Sequence, residues 1–475
     1  MKIRFVEPGN LPYRRSMQNL FVYDKYIRTP SQGLLTLATI VRNRNPADDV
    51  LMYSESISKV VWDDVLDADL VLIGIFTFSA RRGYEIADRV RQAGRGVVAI
   101  GGLHATLCPE EAAAHADYVL LGEADETVGS FVDAIRAGKV PDFAGVGRMD
   151  GGAFATAGAA PAPHDIDTVP DRNLLYRFKK MAGHNTIWPQ VHASRGCPHS
   201  CDYCALVAAF GLGVRTRSPE SVVEDIRQAI DFFDTGHHRL AKMLWITDDN
   251  FFADRAWAMR VLKLIIDEGI RYNFTVQARY EVGFDDEMLD LLAQAGFSEL
   301  SFGIEFLEDE AFEAYHKKST VREVEQAIAN AQALGLRVRG LFIVGADNHT
   351  RGVGERLARF VEEHGIRGVL IQSMYFIPGT PVYETHEDSL IETDGWSRCT
   401  GKVVHRPKLL SPCELQQEII DASRAIYAPR KLVSALFRKR GIERILFIGE
   451  YFWQCSVRAD LRRDMERLRE IEAAG

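Results

Sequence analysis

The chain has 475 residues, a length that fits about three domains. Apolar residues make up 47% and charged residues 26%, ample for a sizeable core, and 57 Lys and Arg against 66 Asp and Glu leave a net charge of −9. That balance excludes the electrostatic footprint of a general nucleic-acid binder.

The apolar stretch at Met1–Val6 is short and stops at Glu7, and the longest apolar run, Leu70–Phe78, is half a membrane span. Neither a secretion signal nor a spanning helix is expected, which places the protein in the cytoplasm. Up to about residue 138, apolar runs alternate with amphipathic stretches. Strands are expected at Lys2–Glu7, Val50–Ser54, Leu70–Phe78, Gly96–Gly101 and Tyr118–Gly122, with helices at Gly33–Arg44, Arg81–Gln92 and Thr127–Ala137. Near-continuous Val/Ile/Leu strands separated by helices predict a doubly wound α/β domain over residues 1–140, with its ligand at the strands' carboxyl ends. Residues 141–185 read as an exposed linker or loose hairpin, because Gly151–Pro163 is rich in Gly, Ala and Pro.

A more regular alternation fills residues 186–380. Strands are expected at Gln190–Ser194, Met243–Thr247, Asn273–Ala278, Glu299–Ile304, Arg337–Val344 and Val369–Tyr375. Ser218 and Pro219 open the first helix, whose Val222, Val223, Ile226, Ile230 and Phe233 repeat at helical spacing before Gly236. Others start near Asp254, Asp285, Val321 and Arg351, several stopping at Gly269, Gly296, Gly335 and Gly365. An eight-unit barrel needs about 250 residues, so six strand–helix units here predict a partial barrel. Residues 381–475 read as mostly helical, notably Pro412–Tyr427 and Ala459–Ala473.

Seven cysteines do not make a disulfide framework: four are scattered and three, Cys197, Cys201 and Cys204, fall within eight residues. Their CxxxCxxC spacing lies just past the first barrel strand, at the end where barrel active sites form. Three soft thiolates in one loop favour zinc or an iron–sulfur cluster. A structural zinc site takes four protein ligands and a complete [4Fe–4S] cluster four thiolates, so three leave a metal position open for a substrate or cofactor. His199 lies inside the loop as the zinc alternative, with a strained approach to a shared metal. Polar residues also gather at the barrel's mouth: Asp248, Asp249 and Asn250 after the second strand, Arg279 after the third, Glu305 after the fourth and Asp347 after the fifth. Convergence on a polar cofactor explains such charges; helix capping by Asp249 or Asn250 and plain ion pairs are the alternatives.

CxxxCxYC after the first strand of a six-unit barrel resembles the radical S-adenosylmethionine (radical SAM) superfamily. The resemblance implies that Cys197, Cys201 and Cys204 hold three irons of a [4Fe–4S] cluster whose fourth iron chelates S-adenosylmethionine. It places Tyr203 near the adenine and likens Glu305, in Phe302-Gly-Ile-Glu-Phe306, to the family's Gly-x-Glu segment. Asp248 and Arg279 join the cofactor site, and Ile377 and Pro378, in Tyr375–Pro381, resemble the adenine-edge loop.

In the amino-terminal domain the strand ends carry Gly74–Ser79, Gly101–Thr106 and Gly122–Glu126, where glycines and small hydroxyl residues allow close approach of a ligand. Pro8-Gly-Asn-Leu-Pro12 replaces a GxGxxG, which disfavours a dinucleotide. The three segments resemble the cobalamin-binding domain that precedes many radical SAM barrels. Thr77, Ser79, Gly101, Gly102 and Thr106 would line the corrin and its nucleotide tail, with Gly122 and Glu123 nearby. No DxHxxG loop follows the first strand, so His104 is read as a wall residue and cobalt as lacking a protein histidine.

The resemblance implies C-methylation of an unactivated carbon through a 5′-deoxyadenosyl radical and methylcobalamin, recharged by a second S-adenosylmethionine. It also implies a small-molecule or lipid-like biosynthetic substrate and an electron donor such as flavodoxin or ferredoxin. Cyclisation or oxidative rearrangement, as in the anaerobic porphyrin cyclase type, needs the same cofactors and stays open. A methylthiotransferase would need a second cysteine cluster where only Cys108 stands, and a cobalamin sensor has no use for CxxxCxYC. Residues 380–475 are expected to shape the substrate side, with Tyr383, Trp396, Tyr427, Phe437, Phe447 and Trp453 as walls or core. The basic run Arg430–Arg444 reads as a solvated face, with an anionic substrate or membrane surface as the alternative.

Overall fold

The first strand, β1 (Lys2–Glu7), is Lys-Ile-Arg-Phe-Val-Glu, and its four central residues are buried. A strand buried on both faces belongs inside a parallel sheet covered by helices, and β1 lies between β2 (Asp49–Ser54) and β3 (Leu70–Gly74), both parallel to it. The computed structural model describes residues 1–9, 30–176, 189–233, 243–391, 401–439 and 441–474. Gly236, Trp396, Cys399 and the Asn10–Pro12 part of the first-strand loop lie outside the described residues. By mutual packing the chain forms two units. Among the described residues the first takes in 1–9, 30–176, 189–197 and 205–233, and the second 198–204 and those from 243 onward.

In the first unit, helix α1 (Gln32–Arg44) separates β1 from β2, and α2 (Trp62–Leu66) separates β2 from β3. There follow α3 (Ala80–Ala93), β4 (Val97–Gly101), α4 (Leu103–Leu107), α5 (Pro109–His115), β5 (Tyr118–Leu120) and α6 (Val128–Arg136). The sheet order is β2-β1-β3-β4-β5, all parallel, continued by an antiparallel hairpin of β6 (Val146–Asp150) and β7 (Ala153–Thr156). Residues read as a linker or loose hairpin thus add two strands to the sheet. Gly151 and Gly152, both at positive φ, supply the two-residue turn that such a hairpin needs. The core joins Ile3, Phe5, Leu70, Leu72 and Phe131; burying a Phe side chain contributes about 2–3 kcal/mol.

The expected strand Leu70–Phe78 ends at Gly74. Beyond it the Ser79 hydroxyl accepts the Phe76 N–H (3.1 Å) and closes a tight turn over Thr77–Ser79. The expected strand Gln190–Ser194 splits into β8 (Gln190–Val191) and β9 (Ser194–Arg195). Its carbonyls face arginines: Arg172 donates to the Gln190 carbonyl (2.9 Å) and Arg217 to that of His192 (3.2 Å). After α7 (Ala205–Phe210), β10 (Arg215–Thr216) pairs antiparallel with β9 and leads into α8 (Pro219–Phe233). On α8 the wholly buried Asp225 binds Arg172 (2.7 Å) on one oxygen and Arg217 (2.6 Å) on the other.

The second unit repeats strand and helix as β11 (Met243–Ile246), α9 (Arg255–Asp267), β12 (Asn273–Ala278), α10 (Asp286–Ala295) and β13 (Phe297–Glu305). It continues with α11 (Asp309–Ala314), α12 (Val321–Ala333), β14 (Arg337–Val344), α13 (Val353–Glu363) and β15 (Gly368–Ser373). The five strands neighbour one another in chain order, all parallel. The helix signals lie where the sequence put them: Asp254 caps α9, Asp285 caps α10, and Thr320 with Glu323 forms a capping box on α12.

Beyond β15 come α14 (Pro381–His386), α15 (Pro412–Ile426), α16 (Pro429–Arg438) and α17 (Gly441–Ala474). The segment before α15 reaches the carboxyl end of β14, where His405 bonds the Gly345 carbonyl. Past α15 the chain is at the other end of the sheet. There the Tyr427 hydroxyl accepts the Val369 N–H at the start of β15 (3.1 Å), and Glu450 pairs with Arg339 near the start of β14 (2.8 Å). Tyr427 is therefore core, not a substrate wall, whereas Phe437 is 84% exposed. A cleft of about 650 Å³, lined by Leu336, Ile366, Tyr427 and Phe447 among others, also lies at this amino end, where barrel residues serve stability rather than catalysis.

Replacing Asp225 by Asn should destabilise the first unit by about 3–5 kcal/mol, because it leaves two buried guanidinium groups underpaired. Urea unfolding monitored by circular dichroism measures the loss.

Candidate active site

The first unit presents a ligand edge at the carboxyl ends of β3, β4 and β5. One side chain ties the edge together: the Thr106 hydroxyl donates to the Gly102 carbonyl (3.0 Å) and accepts the Gly122 N–H (3.0 Å). Gly102 has φ 98°, and a Cβ there would lie 2.7 Å from the Ile75 carbonyl oxygen, so only glycine fits. Gly101 closes the same edge, its carbonyl accepting the Ile75 N–H (2.9 Å). Thr77 is buried, and its Oγ1 has no partner among the described residues. Ser79 is held by the Phe76 backbone. Between these polar groups Phe76 and Phe78 stack (5.5 Å between centroids, 10° between planes) and stand 43% and 44% exposed. Two exposed stacked rings beside glycine backbone suit a flat apolar ligand.

His104 lies behind this edge, wholly buried, with Nε2 3.7 Å from a Glu111 oxygen. Glu123 turns its carboxylate to Arg195 (2.9 Å) and Arg215. Arg195 also makes a bidentate pair with Asp125 (2.7 and 2.9 Å). The antiparallel pair β9–β10 is thereby fixed to the loop after β5. Between Arg195 and Cys197, Gly196 has φ 88°, and a Cβ there would lie 2.2 Å from the Gly213 carbonyl oxygen, so a side chain would push the cysteine loop open. Helix α7, which starts one residue after Cys204, packs on α4 at the edge.

In the second unit, Cys201–Cys204 closes as a turn, with the Cys204 N–H on the Cys201 carbonyl (3.0 Å). Asp202 anchors it three ways: its N–H on the Tyr315 carbonyl, its carbonyl under the Val382 N–H and its carboxylate on His316 Nδ1 (2.8 Å). Tyr203 meets Phe306 and Tyr315 edge-on (6.0 and 6.5 Å), while those two rings stack on each other (5.3 Å). Burial pushes the Tyr203 hydroxyl well above its ordinary range, and Glu305 and Cys201 add to the shift.

Glu305 ends β13 at φ 71°, where the register against β14 slips. Its carboxylate faces the buried Lys317 (3.7 Å), whose Nζ also bonds the Gly303 carbonyl. Burial lowers the Lys317 pKa, Glu305 opposes that and Arg279 reinforces it. Arg279 is paired with Glu281 (2.7 Å). Asp248 is wholly buried just beyond β11, with Asn250 buried beside it in the chain. Asp347 pairs with His386 (3.2 Å) and Lys408; burial raises its pKa, but the hydrogen bonds from Lys408 and His386 outweigh that and hold it below the usual carboxylate range. Ile377 and Pro378 precede Gly379 in a turn closed by Thr380, whose hydroxyl bonds the Ile377 carbonyl (2.7 Å) and caps α14.

Within each unit some of the expected residues meet: Thr106 joins Gly102 and Gly122, and Tyr203 and Glu305 share the Phe306–Tyr315–Lys317 cluster. Tyr315, His316 and Lys317 went unnoticed in the sequence because they follow a short helix, outside any strand end. Cys197, Cys201 and Cys204 are half-buried and none is in a disulfide. Three such thiols suit a cluster with one open iron. Among the described residues the set of ligand atoms within 4.8 Å of one another is His104, Cys108 and Glu111, and neither the three cysteines nor His199 form one. The enclosed Thr77 hydroxyl, the bare glycine edge and the two exposed rings likewise fit a corrinoid.

Residues 191–361 match the family model described as the radical SAM superfamily. The chain carries a radical SAM domain. Such a domain makes the protein an enzyme whose cofactors include a [4Fe–4S] cluster and S-adenosylmethionine. The chain is 26% identical over 384 residues to bacteriochlorophyllide d C-8(2)-methyltransferase of Chlorobaculum tepidum, covering 78% of this chain and 82% of that protein. It is 24% identical over 478 residues to hopanoid C-2 methylase of Rhodopseudomonas palustris, covering 92% and 85%. It is 25% identical over 370 residues to anaerobic magnesium-protoporphyrin IX monomethyl ester cyclase of Cereibacter sphaeroides, covering 74% and 58%. Its fold is that of the radical S-adenosylmethionine methyltransferase TsrM of Kitasatospora setae, solved with cobalamin and a [4Fe–4S] cluster. The TM-score is 0.68 at 15% identity, with both chains covered in full.

Replacing Cys197, Cys201 and Cys204 together by Ala should abolish iron and sulfide binding after anaerobic reconstitution while circular dichroism stays native; zinc in place of iron in the parent would sink the cluster assignment. Acid should weaken the fold through His405. Burial lowers its pKa from 6.5 to about 4, so between those values the unfolded chain binds the extra proton. Stability from this group is complete above about pH 6.5 and falls by about 3 kcal/mol on acidification to pH 4. Unfolding curves of the parent and His405→Gln across that range should differ in slope.

Proposed function

We propose that the protein is a cobalamin-dependent radical SAM C-methyltransferase that methylates an unactivated carbon of a small or lipid-like biosynthetic substrate. The observation that carries this reading is the joining, in one chain, of a three-cysteine radical SAM loop with a strand-end edge of bare glycine backbone and exposed stacked phenylalanines. Methyltransferases among the relatives support it. Reduction by a flavodoxin- or ferredoxin-type donor in the cytoplasm completes the reading.

Cys197, Cys201 and Cys204 would hold three irons, and Thr77, Ser79, Gly101, Gly102, Thr106 and Gly122 would line the corrinoid. When bound, the cluster supplies the electron that cleaves S-adenosylmethionine to a carbon radical, and the corrinoid supplies the methyl group. The chain's own residues do the positioning. The Tyr203, Phe306 and Tyr315 rings form an aromatic wall for the adenine, bordered by Ile377 and Pro378. Glu305, steadied by Lys317, accepts hydrogen bonds from the ribose or amino group, and Asp248 and Arg279 complete that site. Phe76 and Phe78 cover an apolar ring face and exclude water, which protects a radical from quenching. Glu123 lends backbone alone, since its carboxylate is committed to Arg195 and Arg215. Cyclisation or rearrangement with the same cofactors is the second reading, favoured by the cyclase relative.

Methyl transfer to the corrinoid needs no substrate, and that separates the two. With reductant, cobalamin and methyl-labelled S-adenosylmethionine, the protein should form S-adenosylhomocysteine in about equal amount to bound corrinoid and leave the label on it. With substrate, 5′-deoxyadenosine and S-adenosylhomocysteine should form in comparable amounts. 5′-Deoxyadenosine with neither S-adenosylhomocysteine nor labelled corrinoid would reject methyl transfer and favour the cyclase reading.

A further inference from the structure

We propose that α16 is a docking surface for an anionic lipid bilayer. The helix has two faces. Ala435 is 2% exposed and, with the half-buried Leu432, lies on the side packed against α17, whereas Val433, Leu436 and Phe437 stand 54%, 43% and 84% exposed. These three fall at positions i, i+3 and i+4, one stripe of a helix, and among the described residues they stay exposed. The same segment is strongly basic: residues 429–440 read Pro-Arg-Lys-Leu-Val-Ser-Ala-Leu-Phe-Arg-Lys-Arg, five cations and no acid, in a chain of net charge −9. Lys431 pairs with Glu362 (3.2 Å), and Lys439 lies over the Phe447 ring (5.5 Å).

An exposed apolar stripe flanked by lysine and arginine is the pattern of a helix that lies in a membrane interface, the rings among the acyl chains and the cations at the headgroups. A spanning role is excluded for the described helices, none of which is long and apolar enough to cross a membrane. A second copy of the chain is disfavoured as occupant, because a two-fold contact through α16 would set Arg430, Lys431 and Arg438 against the same three cations. Phosphate-bearing lipid meets the same surface with opposite charge. The inference stands on α16 alone and does not need the methyl-transfer reading.

Full-length protein sedimented with vesicles should bind those containing about one third phosphatidylglycerol, release them at high salt and ignore phosphatidylcholine alone. The variants Val433→Ser/Leu436→Ser/Phe437→Ser and Arg430→Glu should each weaken binding by about tenfold or more, with iron content and melting temperature unchanged. Because the charge variant leaves the apolar stripe intact, it tests the proposal even if the serine variant folds poorly. Absence of binding, equal binding to neutral vesicles, or binding that both variants leave intact would overturn the proposal. So would a parent dimer that the serine variant makes monomeric.

Discussion

Two arginines on either side of the cysteine loop's first strand are bound to carboxylates that follow β5, and the local geometry hangs on that lock. Arg195 holds Glu123 and Asp125 together, and Arg215 takes the other oxygen of Glu123. All four groups are largely buried, so removing one strands its partners and costs several kcal/mol. The carboxylates belong to the loop that begins at Gly122, which Thr106 ties to Gly102. The glycine edge and the strand that ends two residues before Cys197 are thus one rigid piece. The buried Asp225 grips Arg172 and Arg217, which hold the carbonyls of Gln190 and His192 just before that strand.

In the second unit a three-residue segment plays the corresponding part. Tyr315 gives its carbonyl to Asp202, its hydroxyl to the Asp347 N–H and its ring to Phe306. His316 takes the Asp202 carboxylate, and Lys317 fills the hollow behind Glu305. Three successive side chains therefore join the cysteine turn to the ends of β13 and β14. A buried lysine is tolerable there because a carbonyl and a carboxylate face it.

The alternation of strand and helix was legible because burial on both faces writes near-continuous apolar runs, and because Asp254, Asp285 and Thr320 cap helices by local chemistry. The cysteine loop was legible for the same kind of reason: its spacing is short-range. What sequence hid was long-range. Nothing near Glu123 announces that Arg195 and Arg215 will claim it, and nothing in Tyr315–Lys317 says that it will sit beneath Glu305. The strand Gln190–Ser194 was too long in prospect because its carbonyls go to arginines distant in the chain. The aromatics of residues 380–475 were ambiguous in composition, and position divided them: Tyr427 is core and Phe437 lies bare.

Glu305 holds a left-handed backbone that a β-carbon resists, at φ 71°, which costs of order 1–3 kcal/mol wherever a side chain is kept. Glycine or asparagine would hold the same backbone at less cost. A redesign guided by folding energy alone would choose one of them, and would discard the carboxylate together with the strain. The same exchange predicts where thermostable descendants of this chain would differ: they would gain rigidity at caps, loops and surfaces, and leave this one uncomfortable residue untouched.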